Sequence, residues 1–300
     1  MIVPPFLKQG DTLGIVAPGR KVSEENLAAS IQTFQEWGLK VILGANIFSD
    51  NHSYLGGSDQ ERLKDIQEMI NNPTVKAIIC ARGGYGTSRI IDAIDFSALE
   101  RNPKWVVGFS DITAIHLKLH SRGFSSIHGT MPILFSKPDS ASSVSSLKNA
   151  LFGFPSPINS VPSPYNKPGT GEGPMIGGNL SLIVDSMGTS TEPDTRGKIL
   201  FIEEIDEYLY KIDRMMNHLK RAGKLQHLHG LIVGHLTNIM DTDLSFGQPV
   251  EGIILEHTKA YNYPVVFQFP SGHENPNLAW SSGSHYILKS MQEKSELTPC

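Results

Sequence analysis

Ser110 stands where an apolar run ends and an amphipathic run begins. Residues 105–109 (WVVGF) are typical of a buried strand, and apolar positions recur at helical spacing in residues 111–120. A serine on such a turn exposes its hydroxyl as a nucleophile, and the amide of the next residue, Asp111, can face an oxyanion. The alternative is that Ser110 only caps the helix, a role that serine favours. The segment lacks the second glycine of the Gly-x-Ser-x-Gly pattern, so alone it leaves both interpretations open.

Two further groups of side chains could support a serine nucleophile. Glu203 and Glu204 directly follow the apolar run 198–202, and a carboxylate at a strand end can orient a histidine and stabilise its imidazolium. Consecutive strand side chains face opposite sides, so only one of the two can do this. His273 follows the apolar run 264–269 and is expected on a loop held by a rigid element. A solvated acidic loop is the alternative for the carboxylates.

The segment 82–87 (RGGYGT) is a glycine-rich loop. Glycines before a helix can cradle a phosphate, although the lysine of a P-loop is absent and the dinucleotide spacing is not met. A glycine amide in this loop could instead supply a second donor to an oxyanion. The sequence leaves both uses open. Arg82 is a candidate to bind a substrate carboxylate, and pairing with the acidic cluster at 203–207 is the structural alternative.

Three other histidines have positions that could suggest a site. His116 and His120 are four apart on the predicted helix, a spacing found in metal pairs, but the H-E-x-x-H context is missing. We therefore predict that both lie on a solvated helix face. His128 is either a pocket residue or a hydrogen-bonded loop histidine. No metal or other cofactor is expected.

The elements that must position these residues alternate between strand and helix. Strands are predicted at 13–18, 40–43, 75–80 and 105–109, and helices at 24–37, 59–70, 87–94 and 111–120. This alternation predicts an α/β fold with a parallel N-terminal sheet flanked by helices, of the flavodoxin or glutamine-amidotransferase-like kind. The candidate residues would then lie at the carboxyl ends of its strands.

The chain is expected to contain two domains. Residues 154–174 are rich in proline, serine and glycine, which predicts a linker or covering loop with little helix or sheet. The N-terminal domain would be 1–153 with the nucleophile. A smaller α/β domain at 175–300 would carry strands at 198–202, 230–233 and 264–269, a helix after 177–179 and another at 212–221.

Composition narrows the function classes. The 300 residues carry a formal net charge of -4, which offers no basic surface for nucleic acid. No apolar run is long enough for a membrane span, and the N-terminus lacks the pattern of a signal peptide, so we expect a cytoplasmic protein. The only cysteines, Cys80 and Cys300, argue against a disulfide framework.

Six segments together resemble a known family. They are, in chain order, 10–18 (GDTLGIVAP), 81–86 (ARGGYG), 108–113 (GFSDIT), 177–180 (GGNL), 202–204 (IEE) and 272–273 (GH). This combination resembles the LD-carboxypeptidase family, which includes the muramoyltetrapeptide carboxypeptidases of murein recycling and the self-immunity peptidases that inactivate microcin C. The resemblance covers nearly the whole chain.

The resemblance implies roles for particular residues. It implies that Ser110 is the nucleophile, that Glu203 orients the base, and that His273 is the base. It also implies an oxyanion hole at the amides of Asp111 and Gly84. Residues expected to contact substrate are Arg82, Gly83, Tyr85 and His128.

The implied activity is that of a metal-free serine carboxypeptidase. It would cut the L,D-bond before the terminal D-amino acid of a cytosolic murein tetrapeptide, typically between meso-diaminopimelate and D-alanine. One alternative is a microcin C immunity-type peptidase that hydrolyses a peptidyl-nucleotide amide, and another is a non-catalytic phosphate or nucleotide binder. The expected partners are a small peptide and, in a homodimer, a second copy of the chain. Nucleic acids and membranes are not expected.

Overall fold

The structure, a computed structural model, describes residues Met1–Cys300 and divides them into two compact units. Unit 1 contains Met1–Pro155 and Leu278–Ser282, and unit 2 contains Ser156–Asn277 and Gly283–Cys300. None of the helices combines the length and the apolar character needed to cross a membrane.

The strands are β1 (Thr12–Val16), β2 (Lys40–Leu43), β3 (Val75–Cys80), β4 (Trp105–Gly108), β5 (Ser126–His128), β6 (Ile158–Ser160), β7 (Gly169–Asn179), β8 (Ile199–Ile205), β9 (Gly230–Thr237), β10 (Val265–Val266), β11 (Trp280–Ser282), β12 (His285–Ser290) and β13 (Ser295–Pro299). The helices are α1 (Glu24–Glu36), α2 (Asp59–Asn71), α3 (Ala98–Arg101), α4 (Thr113–Ser121), α5 (Ala141–Phe152), α6 (Leu180–Asp185), α7 (Leu209–Arg221) and α8 (Val250–Thr258). Short 3₁₀ turns lie at Thr87–Arg89, Ile91–Ala93, Ser110–Ile112 and Pro132–Leu134.

Unit 1 is built on a six-stranded sheet in the order β11-β5-β4-β3-β1-β2. β1 to β5 pair in parallel, and β11 adds an antiparallel edge beside β5. Because successive strand residues point to opposite faces, Ile15 and Ile79 join one apolar cluster while Val16 and Ile78 join the other. The sheet is therefore buried on both faces. This arrangement confirms the predicted α/β fold class.

Two helices of unit 1 begin at a serine whose side chain caps the helix. Ser23 caps α1 in a capping box with Asn26, and Ser58 caps α2 in a capping box with Glu61.

The predicted helix at 87–94 is wrong, because the chain there forms two 3₁₀ turns instead. The Thr87 N–H and hydroxyl are both bound to the Asp111 carboxylate, which competes with a regular helical turn.

Unit 2 contains a seven-stranded sheet in the order β10-β9-β8-β7-β12-β13-β6. The strands from β7 to β10 pair in parallel, and β12, β13 and β6 add antiparallel partners. The parallel part directs the carboxyl ends of β7 and β8 to one edge of the sheet. Asn179 and Glu203 are register partners there.

The prediction that residues 154–174 contain little helix or sheet is wrong for the sheet. β6 lies inside this segment, and β7 begins in it at Gly169. β7 pairs with β12 up to Pro174 and with β8 only from Met175 onward. Pro174 therefore has a strand neighbour on one side only, where the missing proline N–H is tolerated.

Candidate active site

Ser110 lies in the left-handed region of backbone conformation, with a φ of 62°. This conformation costs a residue with a side chain roughly 1–2 kcal/mol. The N-cap of the 3₁₀ turn is Phe109 and that of α4 is Ile112, so Ser110 caps neither element. The capping alternative is therefore wrong. The strained strand-to-helix turn is the geometry in which nucleophiles are presented.

Gly83 packs directly against this turn. A Cβ atom at Gly83 would lie 3.2 Å from the Ser110 Oγ and 3.3 Å from the Asp111 N, so the backbone of the loop approaches where a side chain would crowd the hydroxyl. The Gly83 carbonyl accepts a hydrogen bond from the Arg20 N–H at 3.2 Å. In a trans peptide the following N–H points the opposite way, so the Gly84 N–H is directed away from the Arg20 backbone. The Gly84 and Asp111 N–H groups have no acceptor in the protein.

The Asp111 side chain fixes the loop relative to the turn. Its Oδ2 atom accepts hydrogen bonds from the Thr87 N–H at 3.0 Å and from the Thr87 hydroxyl at 2.6 Å. Burial raises the pKa of the Asp111 carboxyl despite these bonds. Nearby, the buried Arg62 guanidinium donates to the carbonyl oxygens of Pro18 and Gly86. These buried polar contacts hold the glycine-rich loop and the Ser110 turn in one arrangement.

His116 is a structural residue rather than part of a solvated helix face. It is buried, with Nε2 2.9 Å from the Gly108 carbonyl oxygen and Nδ1 2.8 Å from the Ser126 hydroxyl. Burial lowers the pKa of His116 to about 4, so the ring stays neutral near pH 7. It ties the end of β4 to β5 just before Ser110.

In unit 2, Glu203 and His273 form a close pair. The His273 Nδ1 lies 2.6 Å from the Glu203 Oε2, and the Glu203 side chain is fully buried. Burial acts to lower the pKa of His273, but the charge and hydrogen bond of Glu203 outweigh it and the pKa is raised. A proton on Nδ1 that is donated to Glu203 leaves Nε2 as the unprotonated, basic nitrogen. The pair therefore has the geometry of a base and its orienting carboxylate.

Gly272 allows this pairing. Its φ is +129°, and a Cβ atom there would lie 3.2 Å from the Glu203 Cβ and 3.1 Å from the His235 Cβ. The Gly272 N–H donates to the Asn277 Oδ1 at 3.0 Å, which closes the loop. His235 at the end of β9 accepts a hydrogen bond from the Glu274 N–H at 3.1 Å. Sequence reasoning missed Asn277 and His235, although the carboxyl end of a parallel strand was a usable signal for His235.

Glu204 has a different task from Glu203, as expected for neighbours on a strand. Its carboxylate accepts hydrogen bonds from the Asn179 side-chain amide at 2.8 Å and from the Ser181 hydroxyl at 2.7 Å. It therefore joins β8 to the start of α6. Both glutamates are buried, so the solvated acidic loop is not formed at these positions.

The residues expected to contact substrate differ in accessibility. Tyr85 is half exposed, and Arg82 is partly exposed and donates to the Lys21 carbonyl at 3.3 Å. His128 is not a loop residue: it is fully buried in β5, and its ring stacks on Trp280 at 4.9 Å. A ring covered in this way offers no surface to a substrate, which corrects the expectation for His128.

Among the described residues, no group of three or more histidine, cysteine, aspartate and glutamate side chains could hold a metal ion.

Two family models match the chain. The LD-carboxypeptidase N-terminal domain matches residues 13–129, and the LD-carboxypeptidase C-terminal domain matches residues 172–288. The chain belongs to the LD-carboxypeptidase family. Membership confirms the resemblance seen in the sequence, and the predicted enzyme class, a carboxypeptidase, is confirmed with it.

Two similar proteins match this LD-carboxypeptidase over nearly its whole length. A probable murein peptide carboxypeptidase from Bacillus subtilis is 36% identical over 298 residues, covering 97% of this chain and 92% of that protein. The crystal structure of muramoyltetrapeptide carboxypeptidase from Oxalobacter formigenes has a TM-score of 0.87 at 29% identity, covering 95% of this chain and 97% of that one.

A second similar structure, of low sequence identity, supports the fold alone. The microcin C7 self-immunity protein MccF in complex with aspartyl sulfamoyl adenosine has a TM-score of 0.87 at 20% identity, covering 100% of this chain and 99% of that one.

Proposed function

We propose that this chain is a serine carboxypeptidase that cuts the L,D-bond before the terminal D-amino acid of a cytosolic murein tetrapeptide. The observation that carries the proposal is the Ser110 turn, strained at a φ of 62° and packed against the backbone of Gly83. The murein substrate is supported by the names of the Bacillus subtilis and Oxalobacter formigenes relatives. Peptidoglycan recycling, a cytoplasmic location and a homodimeric state stay predictions.

The proposed mechanism is acyl transfer through Ser110. His273 Nε2 takes the proton of the serine hydroxyl as Oγ attacks the carbonyl of the L-centre. The Asp111 and Gly84 N–H groups donate to the oxyanion that forms. Collapse breaks the C–N bond, and His273 gives its proton to the leaving amine. Water then resolves the acyl-enzyme by the same route, and Glu203 stabilises the imidazolium at each stage.

The pH dependence of activity should reflect the pairing of His273 with Glu203. The pKa of His273 is raised above the ordinary 6.5, so the ring should become protonated as the pH falls through that higher value. The enzyme should lose activity there, because a protonated His273 cannot act as the base. Glu203→Gln keeps the shape but removes the charge, so burial should then lower the pKa and move the acid limb of kcat/KM to lower pH. A pH profile of both enzymes tests this. An unmoved limb would show that His273 is not the titrating base.

The microcin-type alternative has less support. A peptidyl-nucleotide substrate is expected to stack on an aromatic side chain, and the proline-rich segment offers Phe154, which is exposed, and Tyr165. The Tyr165 ring is partly buried and packs edge-on against Phe267 at 6.1 Å. The similarity to MccF is too low in identity to carry over its ligand.

A phosphate or nucleotide binder without catalysis is also disfavoured by the glycine-rich loop. The residues after the loop form a three-residue 3₁₀ turn. The loop therefore does not lead into an α-helix whose N-terminus could bind a phosphate. The Thr87 N–H is already bound to the Asp111 carboxylate. A loop that leads into no α-helix and has its Thr87 N–H bound to an internal carboxylate is a poor phosphate cradle.

A fluorophosphonate probe separates the enzyme from the binder, because such probes require an activated serine. We expect covalent labelling of Ser110, located by peptide mass spectrometry, and no labelling of Ser110→Ala. Ser121→Ala removes an exposed serine at the end of α4 and should label like the unmodified protein. Absence of labelling at Ser110 would count against a serine mechanism.

A further inference from the structure

Two arginines lie beside the loop that contacts Ser110. The Arg20 side chain crosses Gly84 so closely that a Cβ atom at Gly84 would collide with its methylene groups. The Arg20 guanidinium lies over the Tyr54 ring, 4.6 Å from the centroid. Arg82 donates from Nη1 to the carbonyl oxygen of Lys21, the residue after Arg20. The methylene groups of Arg20 thus pack on the glycine-rich loop, and Arg82 is part of that loop.

Neither arginine is paired with an acidic side chain of unit 1. Asp50 forms an ion pair with Lys21 at 3.4 Å, and the Asp111 carboxylate is turned inward onto Thr87. The other arginines of this region are paired, since Arg62 and Arg89 share the Asp59 carboxylate. Around the glycine-rich loop, Arg20 and Arg82 are therefore the two arginines that form no ion pair in unit 1.

The surroundings of Arg82 disfavour its charged form. Burial and then the neighbouring Arg20 lower the pKa of the Arg82 guanidinium, which shows that its charged form is destabilised where it stands. Like charges held together, and partly removed from water, are stabilised when a carboxylate binds between them. A planar guanidinium also matches a carboxylate with two parallel hydrogen bonds.

We propose that Arg20 and Arg82 form a carboxylate subsite that binds the terminal carboxylate of the substrate. The inference rests on the proposed function and extends it, since it names the residues that select a free C-terminus. That carboxylate lies one residue beyond the scissile carbonyl, a distance of about 3.5 Å along an extended chain. Gly84 is the proposed oxyanion donor, and the Arg20 side chain crosses Gly84, so the proposed subsite lies beside that donor.

The test is a binding measurement that does not depend on turnover. Ser110→Ala removes the proposed nucleophile, so the murein tetrapeptide and its C-terminal amide can both be titrated intact by calorimetry. We expect the acid to bind this variant about tenfold or more tighter than the amide, the size of one charge-assisted contact. In the triple variant S110A/R20Q/R82Q that advantage should fall to within about twofold while the amide binds as before. Lysines at both positions should restore part of it.

The matched control is S110A/R101Q/R196Q, which removes two positive charges at exposed arginines elsewhere. It should keep the preference for the acid, and thermal unfolding should confirm that every variant is folded. Equal binding of acid and amide to Ser110→Ala, absence of binding, or a preference that survives in S110A/R20Q/R82Q would each overturn the subsite. Turnover of the tetrapeptide by the unmodified enzyme is assayed separately. An enzyme that binds as expected without cleaving would defeat the proposed function alone.

Discussion

Replacing either Ser110 or His273 with alanine should lower kcat/KM for the tetrapeptide by about three orders of magnitude or more. The physical reason is that the serine hydroxyl is a weak nucleophile until a base removes its proton, so either loss disables the same step. The double variant should therefore lose little beyond the single variants, because the effects of residues that act as one unit are not additive. Steady-state kinetics of the four proteins gives the comparison.

Glu203→Ala should lower kcat/KM less than Ser110→Ala or His273→Ala does, because the carboxylate only orients and stabilises the base. Ser121→Ala and His285→Ala are matched controls at exposed positions and should retain full activity. If the losses from Ser110→Ala and His273→Ala multiply, the two residues act independently. That result would rule out the proposed triad.

Amidating the C-terminus of the tetrapeptide should lower kcat/KM by roughly a hundredfold or more. The binding energy of the terminal carboxylate is used to place the scissile carbonyl at Ser110, so its loss is felt in the transition state as well as in binding. The same reasoning applies to the L-alanine epimer, whose carboxylate is directed elsewhere when the carbonyl is held at Ser110. The pentapeptide should also resist cleavage at this bond, because its next residue occupies the carboxylate position.

A matched series of the four peptides measures these effects under one set of conditions. A further peptide with an internal carboxylate amidated is the control, and it should be cleaved at nearly the rate of the parent. Comparable cleavage of the L-epimer or of the C-terminal amide would leave a serine hydrolase of unknown substrate.

The location of the candidate residues at strand ends could be predicted from the sequence more accurately than the bounds of the helices and strands. Ser110 could be placed at a strand-to-helix turn because the apolar run before it and the helical spacing after it are both strong local signals. Glu203 could be separated from Glu204 because strand side chains alternate, and the structure gives the two different partners. The parallel sheet of unit 1 also follows from the alternation of elements.

Contacts distant in sequence account for what could not be predicted. The competition of Asp111 for Thr87 prevents a helix at 87–94, and the sequence does not show that the two residues meet. β11 lies beside β5 only because the chain returns to unit 1 at Leu278–Ser282, and this covers His128 with Trp280. Arg20 carries no motif of its own. It becomes a candidate only when the fold lays it across Gly84.

The most direct test of the central claim is product identification by mass spectrometry after incubation with murein tetrapeptide. We expect the unmodified enzyme to release free D-alanine and leave the tripeptide as the only other product, while Ser110→Ala leaves the tetrapeptide intact. Tetrapeptide that survives exposure to the unmodified enzyme, cleavage at another bond, or equal release of D-alanine by Ser110→Ala would contradict the assignment of this chain as a serine LD-carboxypeptidase.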